Sequence, residues 1–197
     1  LKAIPLIDDR TEQLAAGTFL LDDLSARDAA TARELIALLD HHAEDVAISP
    51  FHRIWWYRSA SFRHQLDSQY HAAEKMIANA RQLAAEFSLE HLLIHFHLRS
   101  AISLLGAGDL PAMAALLDTI RRSLLPARKV DWVYFRSIEA CYLAQCGDVH
   151  AARRLAATAV ELGEEAAVSP TTRCQLQISL ACCHVQAGDY AAAEHWC

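Results

Sequence analysis

Eleven histidines and six cysteines carry most of the chemistry this chain could perform. His91 and His95 are four apart, so on a helix both imidazoles face one way, as a pair of metal ligands must. His97 lies two residues further on, about 200° round the helix, and cannot join them. No carboxylate has the spacing of a zinc-hydrolase helix, and His-Glu-x-x-His is absent. Cys182, Cys183 and His184 are consecutive and diverge on a helix, as do Cys141 and Cys146. Neither set forms a Cys-x-x-Cys knuckle, so no metal and no cofactor is expected. Ser59, Ser61 and His64 are close in sequence, yet a nucleophile, a base and oxyanion donors do not converge on them. The carboxylates at Asp22, Asp23, Glu34, Glu164 and Glu165 read as solvated faces. The chain is therefore expected to be non-catalytic.

The elements that must position these residues are helices throughout. No alternating apolar run bounded by turn signals suggests a strand. Helix starts recur instead. Ser49-Pro50 opens a helix to about Leu66, and Ser169-Pro170 repeats that start. Ser68, Asp109, Asp131, Asp148 and Asp189 read as N-caps, and Gly163 as a helix stop. Asp28 to about Ala47 and Thr11 to Leu21 read as earlier helices. Loops of one to eight residues require neighbouring helices to pack antiparallel.

The corners between these helices are periodic. Gly108-Asp109-Leu110, Gly147-Asp148-Val149 and Gly188-Asp189-Tyr190 align, with a degenerate copy at Ser68-Gln69-Tyr70, at spacings of 40, 39 and 41 residues. Glycine takes the left-handed conformation that ends one helix, Asp caps the next, and the apolar residue that follows is expected to staple the corner. Small residues recur where paired helices press closest: Ala73, Ala80, Ala152, Ala159 and Ala193 on second helices, Ala101, Ala140 and Ala181 on first ones. A period near 40 signals a stacked-repeat architecture of helix pairs, about 11–47, 50–86, 88–125, 131–163 and 170–197. The expected fold is all-α, a single repeat domain forming a right-handed superhelix of antiparallel pairs. The last helix stops eight residues in, so the chain reads as a piece of a larger protein.

Composition narrows the function classes. The chain is 53% hydrophobic with only six Gly and five Pro, which supports a packed core rather than disorder. A net charge of −6 with no basic block argues against direct nucleic-acid contact. No apolar run reaches the roughly 18 residues that span a bilayer, so no membrane role is expected. Cysteines confined to the last third, inside apolar runs, read as buried free thiols in a reducing cytoplasm.

The Gly and Ala pattern resembles the tetratricopeptide repeat, most closely over 131–163 and 170–197. The period is nearer 40 than 34, and Met113 replaces an expected alanine. Long divergent repeats of this kind are similar to the sensor segment of MalT-type LuxR-family bacterial transcriptional regulators. Neither a phosphate-binding loop nor a DNA-binding helix–turn–helix signature lies within the 197 residues. The resemblance implies that first helices line a concave groove. Its register puts Trp55, Arg58, Phe62 and Gln65 there, followed by His95, Leu98 and Ile102, then Tyr134, Ser137 and Cys141, then Gln175, Ile178 and Cys182. Arg53 and Arg63 are expected to flank the aromatic, basic end. Aromatics and Arg anchor partners, and Arg holds carboxylates bidentately. The adjacent Trp55 and Trp56 cannot both point inward.

The resemblance implies a protein-interaction or sensor domain of a bacterial signal-transduction or transcription regulator. Its concave face would bind a protein or peptide partner, and it could form homo-oligomers. The runner-up is an allosteric domain of a MalT-like regulator that binds a small-molecule effector. A third reading is a helical domain of a metal-dependent enzyme.

Overall fold

The computed structural model describes residues 4–186 and 188–196, apart from the side chain of Ala26 and several on the helix that follows Ser169. Among these residues the secondary structure is entirely helical. Ten α-helices follow one another: α1 (Arg10–Arg27), α2 (Ala29–Leu39), α3 (Pro50–Leu66), α4 (Tyr70–Glu86), α5 (Glu90–Ala107), α6 (Leu110–Ser123), α7 (Lys129–Gln145), α8 (Val149–Glu165), α9 (Pro170–Gln186) and α10 (Tyr190–His195). A 3₁₀ turn, Asp40–Glu44, ends the predicted 28–47 helix early. The chain falls into two compact units, Leu1–Ala107 and Gly108–Cys197.

Helices adjacent in sequence pack on one another within each unit, and alternate first helices also touch: α1 with α3, α3 with α5, and α7 with α9. The corners explain why. Gly108, Gly147 and Gly188 have φ of 72°, 88° and 72°. Asp109, Asp148 and Asp189 each accept from the amide three residues on, at 3.1, 3.0 and 3.2 Å. At Gly147 and Gly188 one residue thus reverses the chain within unit 2, and at all three corners the aspartate satisfies free amides of the new helix. Leu110 and Val149 are half-buried at their corners, but Tyr190 is 70% exposed and staples nothing.

The same left-handed corner is made without glycine at Ser68 (φ 58°), Ser88 (54°) and Ala167 (49°). In each, the amide one residue on reaches back to a carbonyl of the ending helix: Gln69 to His64, Leu89 to Ala84 and Val168 to Gly163. Ser68 is therefore a helix-ending residue rather than the expected cap, and Gln69 precedes α4 without a side-chain capping bond, its Oε1 lying 2.8 Å from His64 Nδ1 instead. Asp131 is also not a cap. Helix α7 starts two residues earlier, and Asp131 sits in its first turn, 2.7 Å from Arg128. Gly163 lies inside α8 rather than ending it, because a Cβ there would meet a Leu176 methyl at 2.8 Å.

Unit 1 has a core of large side chains. Leu14, Leu21, Leu35, Ile54, Trp56, Ile77 and Phe96 are all essentially inaccessible. Unit 2 buries Ala140, Ala144, Ala152, Ala156 and Ala159 among Val133, Leu176, Leu180 and Cys183, and Met113, Ile120 and Phe135 as well. Small side chains let backbones approach closely but remove less apolar area from water per residue. All eight alanines expected at close helix contacts are buried, and so is Met113.

Candidate functional site

Helix α3 presents one stripe outward. Phe51, Trp55, Arg58 and Phe62 follow one another at intervals of four, three and four residues, the spacing that keeps side chains on one helical face. Its opposite face fills the core. Trp56 is inaccessible there and donates its indole N–H to Asp40 Oδ1 at 3.1 Å. The two adjacent indoles divide as their geometry demands, one into the core and one half-buried at the surface.

The rotation of α3 is held by a buried charge. Arg63, 5% exposed, binds the Ser25 carbonyl of α1 and, 2.6 Å away, the Asp67 carboxylate. Asp67 also receives Arg33 of α2 through two bonds, of 2.8 and 2.5 Å. The Arg33 hydrogen bond, helped by Arg63, holds the Asp67 carboxyl well below the usual carboxylate range. Arg53 is similarly occupied, its Nε donating to the Ala43 carbonyl at 2.7 Å. Arg53 and Arg63 therefore pin helices together and do not flank an open groove. Long side chains reach back to neighbouring backbone when their stems run along a packed face.

The outward stripe is tied laterally to helices on both sides. The Arg58 guanidinium stacks over the Trp55 ring at 5.2 Å and reaches Asp22 of α1 at 3.1 Å. Phe51 meets Trp55 edge-on at 5.9 Å. Arg99 of α5 lies over the Phe62 ring at 5.0 Å. Gln65, expected in the groove, is instead buried and bonds the Arg99 carbonyl and the Ser103 hydroxyl at 3.1 and 2.9 Å. Leu98, also expected there, is buried core. His95 is half-buried, its ring edge-on to Phe96 at 5.6 Å. Ile102 is 37% exposed, one turn beyond Arg99.

Two strong donors on this stripe have no acceptor among the described residues, Trp55 Nε1 and Arg58 Nε. Leaving such a donor unpaired costs about 1–3 kcal/mol. Phe19, one turn before Asp22, is 80% exposed. The stripe with its neighbours is thus an aromatic strip crossing α1, α3 and α5 and carrying Arg58, Arg99 and one carboxylate. Sequence reasoning identified Trp55, Arg58 and Phe62 but missed Phe19, Asp22 and Arg99. A usable signal exists: polar pairs joining alternate helices sit about one repeat apart, 36 residues for Asp22–Arg58 and for Arg153–Asp189, and 34 for Gln65–Arg99.

The remaining expected positions lie in unit 2. Tyr134 is half-buried on α7, Ser137 buried and Cys141 half-buried. Ile178 and Cys182 are exposed on α9, and the Gln175 side chain falls outside the described residues. Of the cysteines expected to be buried, Cys183 is, whereas Cys146 and Cys182 are exposed. Cys146 sits at the C-cap of α7, beyond the packed turns, and Cys182 faces away from its buried neighbour. Cys174 and Cys197 lie outside what is described. A hydrogen bond with Cys141 and burial push the Cys183 thiol up, which keeps it protonated.

Among the described residues no group of three His, Cys, Asp or Glu is placed to hold a metal ion, and no helix is long and apolar enough to cross a membrane. Comparison of the chain with protein-family models, curated proteins and solved structures gives no match.

Proposed function

We propose that this chain is a non-catalytic interaction segment of a bacterial signal-transduction or transcription regulator. In this reading it is a tetratricopeptide-like array of the kind found in MalT-type regulators, and the face formed by its first helices receives a protein or peptide partner. The observation that carries the reading is the surface strip of unit 1: exposed Phe19 and Phe51 and half-buried Trp55 and Phe62, with two stacked guanidiniums, Arg58 on Trp55 and Arg99 on Phe62. Large rigid aromatics and Arg supply most of the binding energy at protein interfaces. Here they run along the surface of three helices, which suits an extended partner better than a small enclosed ligand.

A photo-crosslinking residue tests this. It is placed at Phe51 on the strip and, separately, at the exposed Lys75 of α4, in the parent protein in its own cells. The expected result is one specific adduct from position 51, none from position 75, and loss of that adduct in Trp55→Ala and Arg58→Ala. Retention of the same adduct at wild-type yield in both variants refutes the reading.

A further inference from the structure

Unit 2 carries a separate site whose chemistry differs from that of the strip. Helices α7 and α8 border an open cleft of about 280 Å³. Arg136, Glu139 and Leu143 come from α7, three and four residues apart, while Ala151, Arg154 and Leu155 come from one face of α8. The lining therefore combines two guanidiniums and one carboxylate with apolar side chains.

The charges in the cleft do not cancel. Glu139 is 8% exposed and already bridged by two guanidiniums, Arg121 of α6 and, at 2.8 Å, Arg136. Arg121 is in turn shared with Asp118 at 3.0 Å. Arg136 is held flat by its neighbours, 5.3 Å over Trp132 and 5.8 Å over Phe135. That leaves Arg154, which is exposed and makes no ion pair or side-chain hydrogen bond among the described residues. Thr158 turns its hydroxyl proton back to the Arg154 carbonyl at 3.0 Å and offers a ligand no donor. Two guanidiniums and one carboxylate thus line the cleft, with one guanidinium uncommitted.

A planar guanidinium fork matches carboxylate and phosphoryl oxygens alike. The two guanidiniums outnumber the one carboxylate in the lining, so a dianion gains about twice what a monoanion does. The volume sits just below the roughly 300–1,000 Å³ of drug-sized ligand cavities, which suits a small molecule. We propose that the cleft between α7 and α8 binds a small phosphate monoester, its phosphoryl oxygens held by Arg136 and Arg154 and its organic body resting on Leu143 and Leu155. This site stands or falls independently of the partner-binding strip, with which it shares no residue.

Calorimetric titration of the chain with phenyl phosphate tests the assignment, with inorganic phosphate, benzoate and a phosphoserine hexapeptide as comparison probes. Saturable binding of phenyl phosphate, weaker binding of inorganic phosphate and weaker still of benzoate are expected. Arg154→Gln should weaken phenyl phosphate binding about tenfold or more. Leu155→Asn should weaken phenyl phosphate but not inorganic phosphate, and Lys75→Gln in unit 1 should change nothing. Arg136→Gln strands Glu139 and risks the fold, so the exposed Arg154 carries the test, with helicity checked by circular dichroism. The assignment is overturned by absence of saturable binding, by wild-type affinity in Arg154→Gln, or by benzoate binding as well as phenyl phosphate. Equal affinity for inorganic phosphate overturns the organic-body contact, and tighter binding of the hexapeptide overturns the small-ligand assignment.

Discussion

The guanidinium of Arg58 lies 5.2 Å above the indole of Trp55 while its Nη1 holds Asp22 on a different helix. One side chain thus joins an aromatic surface to a lateral ion pair. A cation over an indole contributes about 0.5–1 kcal/mol at an exposed site. A double-mutant cycle of Trp55→Leu and Arg58→Met, read by urea unfolding, should return a coupling of about that size. A coupling indistinguishable from zero would mean the stack exists without energetic consequence.

The non-glycine corners define a second measurement. Ser68, Ser88 and Ala167 occupy left-handed backbone at φ near 50–60°. Such residues suffer a steric penalty of about 1–2 kcal/mol that glycine avoids. Part of that gain is offset by glycine's greater freedom in the unfolded chain. Each change to Gly should therefore stabilise the protein by about 0.5–1 kcal/mol. Gly147→Ala and Gly188→Ala should destabilise by a similar amount, since open space surrounds both positions and only φ is at issue.

Gly106 poses the opposite case. It lies within α5, and a Cβ there would stand 2.2 Å from the Tyr70 ring. Gly106→Ala should cost about 1–3 kcal/mol by overpacking, visible as a lower thermal midpoint. Shrinking the obstacle with Tyr70→Ser in the same chain should recover part of the loss. No recovery would show that the penalty arises elsewhere.

Acid should weaken unit 1 in two steps. Burial, reinforced by the Arg81 charge, lowers the pKa of His97 below its ordinary value of 6.5, and its Nδ1 has no partner among the described residues. A group depressed on folding contributes stability that is present above its unfolded pKa and lost as pH falls. His97 should therefore begin to cost stability below about pH 6.5, and Asp67, also depressed, below about pH 3.8. Unfolding free energies measured from pH 8 to 3 should decline from 6.5 downward, and His97→Gln should flatten the upper part of that decline only. An unchanged slope in His97→Gln would remove His97 from the account.

Much of the fold is legible in the chain because its determinants are local. A glycine that reverses the backbone, an aspartate that caps the next helix and an alanine that permits close approach each act within a few residues. Their recurrence at Gly108, Gly147 and Gly188 was enough to place the corners of the later helices. The earlier corners were less clear because Ser68 and Ser88 do glycine's work without announcing it. A serine there looks like a cap, and only the packing that forces φ positive distinguishes the two roles.

The candidate site divides along the same line. The repeat register that the resemblance implies placed Trp55, Arg58 and Phe62, together with Gln65, on one stripe of α3. It could not show that Gln65 and Leu98 turn inward, that Arg53 and Arg63 serve as pins, or that Asp22 and Arg99 complete the strip from other helices. Helical spacing specifies which residues share a face, because every turn repeats the same rotation. Which face meets solvent and which charge finds a partner some 34–36 residues away depend on how each helix is rotated against its neighbours. Only the packed core of the folded chain sets that rotation.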